Sequence, residues 1–161
     1  MKVVRIPRGL LRGIEAEAVS AYPDEACGFL YSASAEASSG ERTISSVDPA
    51  ANEFSGERRR RFVISAAELR AAEARGSGRG EVVSGFYHSH PDHPAVPSAF
   101  DTEHAWPWYT YLVVAVEHER VRATGAFELD RDAAKFEPCA LKVESGPDPH
   151  PAAASLPSPG R

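Results

Sequence analysis

The stretch that decides the fold is Gly85–His104, "GFYHSHPDHPAVPSAFDTEH". Its apolar start predicts a strand, and side chains two residues apart on a strand point to the same face, so His88 and His90 can aim both imidazoles at one point. Ser98 and Asp101, three residues apart at the start of a predicted short helix, share one face of that helix. Three prolines lie between the two pairs, and they stiffen the loop that returns the helix to the strand.

Two interpretations of this stretch remain open from the residues alone. Two imidazoles and a carboxylate, with water as a fourth ligand, are typical of an open, catalytic zinc site. Ser98 as N-cap with Asp101 at the third helical position is also an ordinary helix start without a metal. Capping accounts for the serine and the aspartate but not for the paired histidines, and this favours the metal site.

The rest of the chain alternates short apolar runs with polar breaks. Helices are predicted at 7–21, at 65–75 with Ser65 and Glu68 in capping-box positions, and at 98–105. Strands are predicted at 1–6, 27–33, 43–47, 62–64, 81–90, 109–117, 120–130 and 135–145, the last three consecutive and antiparallel. The pattern indicates one mixed α/β domain at 1–145, followed by a disordered tail at 146–161 that is rich in Pro, Ala and Ser.

The composition argues against several classes of protein. The chain has 161 residues, the length of one domain, and a net charge of −5, which argues against a nucleic-acid partner. It contains no apolar run of about 18 residues, so we expect no membrane span, and its start does not resemble a signal peptide. Cys27 and Cys139 are too few for a disulfide framework or a cysteine zinc site, and we expect two reduced, buried thiols in a cytoplasmic protein.

The stretch from His88 to Asp101 resembles the signature of the JAMM, or MPN-plus, zinc metalloprotease family, H-[ST]-H-x₇-S-x-x-D, and meets its spacing in full. Upstream, "YPDEACGFLYS" resembles the first motif of the family, whose glutamate would be Glu25. The resemblance covers about residues 1–145 and is that of the small prokaryotic single-domain members. It implies an α/β (α+β) fold with a mixed, largely antiparallel, curved sheet flanked by helices, MPN/JAMM-like and similar to cytidine deaminases.

The resemblance also implies a role for each residue of the site. His88, His90 and Asp101 would hold Zn²⁺, and Glu25 would act first as general base and then as general acid. Ser98 would donate its hydroxyl to the oxyanion that forms on the substrate. Without the second motif, Glu25 would be an ordinary solvated glutamate near a helix end.

Other side chains near these positions compete for the same roles. Ser89 lies between two inward-facing ligands, so we expect it to point away from the metal and to be structural. The competitors for the base are Asp24, Glu53, Glu57 and Glu81, and those for a metal ligand are Asp92, His93 and His104. None of the competing ligands matches the family pattern, and we do not expect them to be primary ligands.

The expected reaction is hydrolysis of an amide or isopeptide after the C-terminal glycine of a ubiquitin-like protein. Small prokaryotic members of the family act on β-grasp sulfur-carrier proteins of the ThiS/MoaD type, so such a carrier is the expected substrate. The alternatives are a non-catalytic MPN-type binding module and a zinc deaminase, although the latter expects a PCxxC pair and an H-x-E motif that the chain lacks. The leaving group and the oligomeric state do not follow from the sequence.

Two further groups of residues carry weaker predictions. The basic run Arg58–Arg61 is either a solvated loop or a grip for an acidic partner or a substrate carboxylate. An aromatic cluster follows the site, and we expect core packing for it, with a tryptophan in the substrate groove as the alternative; its members are Trp106, Trp108, Tyr109 and Tyr111.

Overall fold

The structure is a computed structural model that describes residues 1–34, 40–57, 61–130, 132 and 134–146. These residues form eight strands and three helices, in the order β1 Val3–Pro7, α1 Arg8–Ala21, β2 Cys27–Ala33, β3 Glu41–Thr43, β4 Ser46–Ala50, α2 Ala66–Ser77, β5 Glu81–Pro91, α3 Ala99–His104, β6 Thr110–Glu117, β7 Arg120–Asp130 and β8 Lys135–Glu144. Helices α1 and α3 match their predicted ranges to within one residue at each end. None of the helices in the described part of the chain combines the length and apolar character needed to cross a bilayer.

All eight strands belong to one mixed sheet, in the order β3-β1-β8-β7-β6-β5-β2-β4. The pairs β2–β4, β2–β5, β6–β7 and β7–β8 are antiparallel, and β1–β3, β1–β8 and β5–β6 are parallel. The predicted fold class and the consecutive antiparallel pairing of β6, β7 and β8 are confirmed. Because parallel neighbours need a crossover connection, the chain between β5 and β6 must travel back along the sheet, and it carries α3 past the end of β5.

The alternation of side chains along the strands divides the core between the two faces of the sheet. Tyr87 packs in the cluster under α1 with Leu11, Ile14, Leu30 and Leu112. Its neighbour Phe86 packs on the opposite face in the cluster beside α2, with Phe29, Tyr31, Ala72 and Tyr111. His88 and His90 follow Phe86 at intervals of two, so they lie on the α2 face of the sheet.

Tyr87 fixes strand β5 against helix α1. Its hydroxyl donates a hydrogen bond to the carboxylate of Glu17 on α1. A Cβ atom at Gly28 of the neighbouring strand would come within 2.3 Å of the Tyr87 ring, so only glycine allows the ring to lie there. These contacts fix the distance of β5 from α1 and its register against β2.

The predicted strand at 43–47 is divided between β3 and β4, because the chain changes partners in the middle of it. The N–H of Ile44 donates to the carbonyl of Arg5 on β1, and the N–H of Ser45 donates to the carbonyl of Tyr31 on β2, both at 2.8 Å. Strands β3 and β4 lie on either side of this point and form the two opposite edges of the sheet. The sheet must therefore curl until its edges approach one another, a long-range effect that no local pattern contains.

The predicted strand at 62–64 is wrong. This segment pairs with no strand among the described residues. The N–H of Val63 donates to the side-chain oxygen of Asn52 at 3.2 Å, and its carbonyl accepts the N–H of Glu53 at 3.0 Å. Hydrogen bonds to one side chain and one loop amide replace the β-ladder that the apolar sequence predicted.

Helix α2 has half of the predicted capping box. The Oγ of Ser65 accepts the N–H of Glu68 at 3.1 Å, but the N–H of Ser65 donates to Glu53 at 3.2 Å. The helix also continues past its predicted end at residue 75, through Gly76, and ends at Ser77. A Cβ at Gly76 would lie 3.0 Å from the ring of Tyr31, so this glycine permits close packing on the sheet.

Three other predictions concern the cysteines and the chain end. Cys27 and Cys139 are both free thiols, as expected, but only Cys27 is buried, and Cys139 on β8 is partly exposed. The division into a domain at 1–145 and a disordered tail at 146–161 stays a prediction, since residues 147–161 lie outside the described residues.

Glu81, at the start of β5, is a buried carboxylate with three donors around it. It accepts hydrogen bonds from Ser45 at 2.6 Å, from Ser46 at 2.9 Å and from Arg79 at 2.7 Å. Burial acts to raise the pKa of Glu81, but these hydrogen bonds outweigh it and lower the pKa below its ordinary value. The ionised carboxylate therefore stabilises the junction of α2, β4 and β5.

We expect Glu81→Gln to lower the free energy of unfolding at pH 7 by about 2 kcal/mol. A depressed pKa means that this stabilisation is complete above the unfolded pKa of about 4.3 and is lost as the pH falls through the lower folded value. Urea unfolding at pH 7 and at pH 3 should therefore show a difference between variant and parent that shrinks in acid. Glu119→Gln, at an exposed glutamate, is the control. A difference that is the same at both pH values would contradict the assignment.

Candidate metal centre

The end of β5 places two imidazoles side by side on the α2 face of the sheet. The Nε2 atoms of His88 and His90 lie 3.0 Å apart. The side chains are almost completely buried, with exposed fractions of 1% and 6%. The prediction that alternate strand positions aim both rings at one point therefore agrees with the structure.

Helix α3 brings Ser98 and Asp101 to the same point. The Ser98 Oγ accepts the N–H of Asp101 at 3.1 Å, and the Asp101 Oδ2 accepts the N–H of Ser98 at 2.7 Å, which completes a capping box. The same Oδ2 lies 3.1 Å from the Nε2 of His88 and 3.1 Å from that of His90. The capping and metal-site interpretations, left open by the sequence, are thus compatible in one arrangement.

A hydrogen bond of His90 determines which of its ring nitrogens presents a lone pair to the cluster. Its Nδ1 lies 2.9 Å from the carbonyl oxygen of Pro94, which can only accept, so Nδ1 carries the proton. In the neutral ring the Nε2 lone pair then points toward His88 and Asp101. An outer hydrogen bond of this kind is what orients metal-binding histidines in proteins.

The three converging atoms fit a small tetrahedral cation. Their mutual separations of 3.0–3.1 Å compare with about 3.3 Å for two ligands at the usual zinc distances of about 2.0–2.1 Å and a tetrahedral angle. Two nitrogen lone pairs and a carboxylate oxygen so close together repel one another unless a cation or protons lie between them. Imidazole donors favour a borderline metal such as zinc over calcium or magnesium.

Glu25 lies beside this cluster, just before β2. Its carboxyl is buried, with Oε1 3.7 Å from the Nε2 of His90. Its Oε2 has no hydrogen-bond partner among the described residues. Glu25, His88 and His90 each offer one ligand atom within 4.8 Å of the others, so they too form a group that could hold a metal ion. Asp101 lies closer to both histidines than Glu25 does to His90, and we therefore prefer Asp101 as the third ligand.

The two carboxyls of the site differ in protonation. Burial raises the pKa of Glu25 to about 8, with His90 opposing the rise and the charge of Asp101 adding to it. Burial also acts to raise the pKa of Asp101, but the facing imidazoles of His88 and His90 and the N–H of Ser98 hold it well below its ordinary value. The site therefore contains one permanent carboxylate and one carboxyl that exchanges a proton readily near neutral pH.

Ser89 fixes the loop of Glu25 to strand β5. Its Oγ accepts the N–H of Ala26 at 2.8 Å, and its own N–H donates to the carbonyl of Ala26 at 3.0 Å. Ser89 is buried and makes these contacts away from the histidine cluster. This agrees with the structural role that we predicted for it.

Asn52 is a site residue that sequence reasoning missed. Its Nδ2 donates to the carbonyls of Arg61 at 2.9 Å and Glu25 at 3.4 Å, and its Oδ1 accepts the N–H groups of Phe54 at 3.1 Å and Val63 at 3.2 Å. One amide thus joins the Glu25 loop to both ends of the segment 54–63. A single asparagine in a polar loop has no spacing that would distinguish it from an ordinary turn residue.

Segment 61–64 covers one side of the histidine pair. Phe62 stacks on the ring of His88 with centroids 4.4 Å apart. It also lines an apolar pocket next to the cluster, together with Phe86, Phe100, Trp106 and Tyr111. The prediction of core packing for the aromatic cluster holds for Tyr111 and for the partly buried Tyr109, but it is wrong for Trp106 and Trp108, whose exposed fractions are 47% and 60%. They follow α3 in the crossover, at the edge of the site.

Most of the competing candidates make other contacts. Glu53 caps α2, Glu81 binds its own three donors, and Asp92 accepts the hydroxyl of Tyr22 at 2.8 Å. His104 donates from Nδ1 to the carbonyl of Phe100 at 2.9 Å. The remaining candidates are exposed, namely Asp24, Glu57 and His93, and of these only His93 lines the cavity of Glu25. Among the described residues, no competing candidate belongs to a group that could hold a metal ion.

Residues 7–126 of the chain match the family described as prokaryotic homologs of the JAB domain. The chain belongs to this family. The match confirms the resemblance seen in the sequence, and it argues against the deaminase alternative, whose Pro-Cys element lies on β8, three strands away from β5.

One curated relative and three solved structures extend the comparison. The chain is 36% identical over 92 residues to the Desampylase of Haloferax volcanii, an alignment that covers 56% of this chain and 62% of the relative, less than two thirds of its length. A protein from Salinibacter ruber is 35% identical, with a TM-score of 0.66 and coverage of 89% of this chain and 92% of that one. A protein from Desulfitobacterium hafniense is 28% identical, with a TM-score of 0.73 and coverage of 91% and 98%. A JAB1/MPN domain protein from Archaeoglobus fulgidus, 20% identical with a TM-score of 0.50 and coverage of 89% and 97%, shares the fold.

We expect Asn52→Ala to loosen the segment that covers the site. The loss of four hydrogen bonds should lower the free energy of unfolding by about 1–3 kcal/mol. Amide hydrogen exchange at Phe54 and Val63 should become faster. Asn52→Asp, which retains the acceptor oxygen, should protect these two amides and lose only the bonds to the carbonyls of Glu25 and Arg61. Equal exchange in both variants would show that the side chain does not hold the segment.

Proposed function

We propose that the protein is a zinc-dependent metallopeptidase of the JAMM isopeptidase type. It hydrolyses the amide bond after the C-terminal glycine of a ubiquitin-like sulfur-carrier protein of the ThiS/MoaD type. The observation that carries this proposal is the convergence of two imidazole nitrogens and one carboxylate oxygen within 3.1 Å, next to a buried glutamate. The two free thiols favour the cytoplasm as its compartment.

His88, His90 and Asp101 would hold the metal ion. Zinc, when bound at a site with three protein ligands, lowers the pKa of its water toward 7 and polarises a carbonyl. The capping box holds Asp101 in one rotamer, and the carbonyl of Pro94 holds His90 in one tautomer. The ligands are therefore oriented before a metal arrives, which reduces the conformational entropy lost on binding.

Glu25 would move the proton during hydrolysis. Its carboxyl lies 3.7 Å from the Nε2 of His90 and has one oxygen without a partner among the described residues, so in its ionised form it can accept a proton from the attacking water. The same carboxyl then delivers that proton to the leaving nitrogen. Ser89 and Asn52 hold the peptide group that follows Glu25, since Ser89 accepts the N–H of Ala26 and Asn52 donates to the carbonyl of Glu25, and this fixes the backbone from which the carboxyl extends.

Ser98 would stabilise the charge that develops on the carbonyl oxygen. Its Oγ already accepts the N–H of Asp101, and its own hydroxyl proton remains available as a donor toward the cavity shared with Glu25 and His90. A preoriented donor at this point favours the transition state over the ground state.

The substrate class is supported by the family and by the curated relative. That relative is named Desampylase, which indicates removal of a small ubiquitin-like modifier. The cavity that contains Glu25, His90 and Ser98 is an open groove, and an extended chain end rather than a folded surface suits such a groove.

A non-catalytic MPN-type binding module remains the second candidate, and the zinc content separates the two. The purified chain should bind about one zinc per molecule, and Asp101→Ala should lose most of that affinity because it removes one of three ligands. Chelation should abolish cleavage of a carrier with a C-terminal extension, and added zinc should restore it. A chain that binds no zinc would rule out the enzyme.

We expect Glu25→Gln to keep zinc binding and to lose turnover. The amide preserves the size of the side chain but cannot take the proton, and loss of a general base costs about 10²–10⁴-fold in kcat. Cleavage followed by mass spectrometry and zinc content measured on the same sample provide the test. Glu57→Gln, at an exposed glutamate outside the site, is the matched control. Full activity in Glu25→Gln would show that the base is another group.

Ser98 has a capping role and a proposed catalytic role, and two substitutions separate them. Ser98→Ala should lower the free energy of unfolding by about 0.5–2 kcal/mol, whereas glycine at an N-cap costs only a few tenths. Both variants remove the hydroxyl, so both should lower kcat by about 10²–10³-fold. If Ser98→Gly turned over at the parent rate, the hydroxyl would have no part in the reaction.

A further inference from the structure

The cavity that is lined by Glu25, His90 and Ser98 is also lined by Arg61. Arg61 is the last residue of the basic run and the one member of that run within the described residues. The mechanism proposed above gives it no role. A permanent positive charge next to the reacting groups must affect which substrates the cavity accepts.

Aromatic rings and a backbone bond hold Arg61 in place. Its guanidinium lies over the ring of Phe100 at 4.8 Å and near the ring of Phe54 at 5.9 Å. The two rings contact each other edge to face, with centroids 5.8 Å apart. The carbonyl of Arg61 accepts the bond from Asn52. Stacking occupies the flat face of a guanidinium and leaves its in-plane N–H donors free.

Arg61 has no anionic partner within the described ranges. No carboxylate there lies within 4.0 Å of its guanidinium, and no acceptor binds its N–H groups, whereas Arg5, Arg75, Arg79 and Arg122 all pair with carboxylates. The N–H fork of an arginine matches a carboxylate with two parallel hydrogen bonds. A ligand that brings a carboxylate into the cavity would complete this arrangement.

We propose that Arg61 binds the free α-carboxylate of the leaving group, so that the favoured substrate carries a single amino acid beyond the glycine. This inference rests on the proposed function. The atoms near the bond on the glycine side are neutral carbonyls and amides, whereas an amino-acid leaving group has a carboxylate two bonds from the scissile nitrogen. In a lysine isopeptide, four methylenes follow the scissile nitrogen, and the α-carboxyl of the lysine is part of a peptide bond. Such a leaving group offers Arg61 no free carboxylate.

The chemistry balances as a simple hydrolysis. Water adds its oxygen to the glycine carbonyl, the carbon–nitrogen bond breaks, and the nitrogen leaves with a proton. The products are the carrier with a glycine carboxylate and one free amino acid. Arg61 contributes by positioning the leaving group, and no oxidant or further reactant is needed.

The test compares three forms of one ThiS-type carrier whose terminal glycine is joined to alanine, to alaninamide or to the ε-amino group of Nα-acetyl-lysinamide. We expect the kcat/KM for the alanine form to exceed that for the alaninamide form by about 10- to 100-fold, the usual effect of a hydrogen bond between charged groups. Arg61→Gln should lower the rate on the alanine form by the same factor and leave the other two forms unchanged. Arg61→Lys keeps the charge but not the paired N–H donors, so its kcat/KM on the alanine form should lie between those of the parent and of Arg61→Gln. Arg70→Gln, at an exposed arginine on α2, is the control of equal charge.

Equal rates on the alanine and alaninamide forms, or an equal loss on all three forms in Arg61→Gln, would overturn the inference. Binding of the same carriers to the metal-free protein, followed by fluorescence anisotropy, separates this result from a failure of the proposed function. Tighter binding of the alanine form that disappears in Arg61→Gln supports the carboxylate site even if no form is cleaved. Equal binding of the alanine and alaninamide forms overturns it.

Discussion

One carboxylate oxygen, the Oδ2 of Asp101, holds the arrangement of the site together. It accepts the N–H of Ser98 at the start of α3 and lies 3.1 Å from the nitrogens of both histidines. The same atom thus joins the start of the helix to the histidine pair. A helix of six residues would have little stability alone, and it is placed here by the crossover between two parallel strands and by its cap.

The histidine pair depends equally on the register of β5. A slip of one residue would turn His88 and His90 to the α1 face and bring Tyr87 and Ser89 to the α2 face. The contacts of these two intervening residues oppose such a slip, because Tyr87 fits over Gly28 and bonds to α1, and Ser89 bonds to Ala26. Tyr87 and Ser89 therefore secure the strand that carries the two histidines.

Sequence reasoning found the parts of the fold and of the site that depend on local spacing. Alternation along β5 and the three-residue interval from Ser98 to Asp101 are local, and both were predicted. The split of the strand at 43–47 depends on the curling of the whole sheet, and the exposure of Trp106 depends on where the crossover passes. Asn52 acts through bonds to residues up to 27 positions away, and no local pattern contains such bonds.

Two carboxyls with different surroundings explain how one site could hold both the proposed metal ligand and the proposed base. Asp101 has a backbone donor and two imidazoles around it, so its charge is stabilised although it is buried. Glu25 is buried to a similar extent, but its Oε2 has no donor within the described residues, and burial raises its pKa to about 8. Hydrogen-bond donors, and not burial, therefore separate the two roles. A donor placed beside Glu25 would turn it into a second permanent carboxylate, which would repel Asp101 and could no longer exchange a proton near neutral pH.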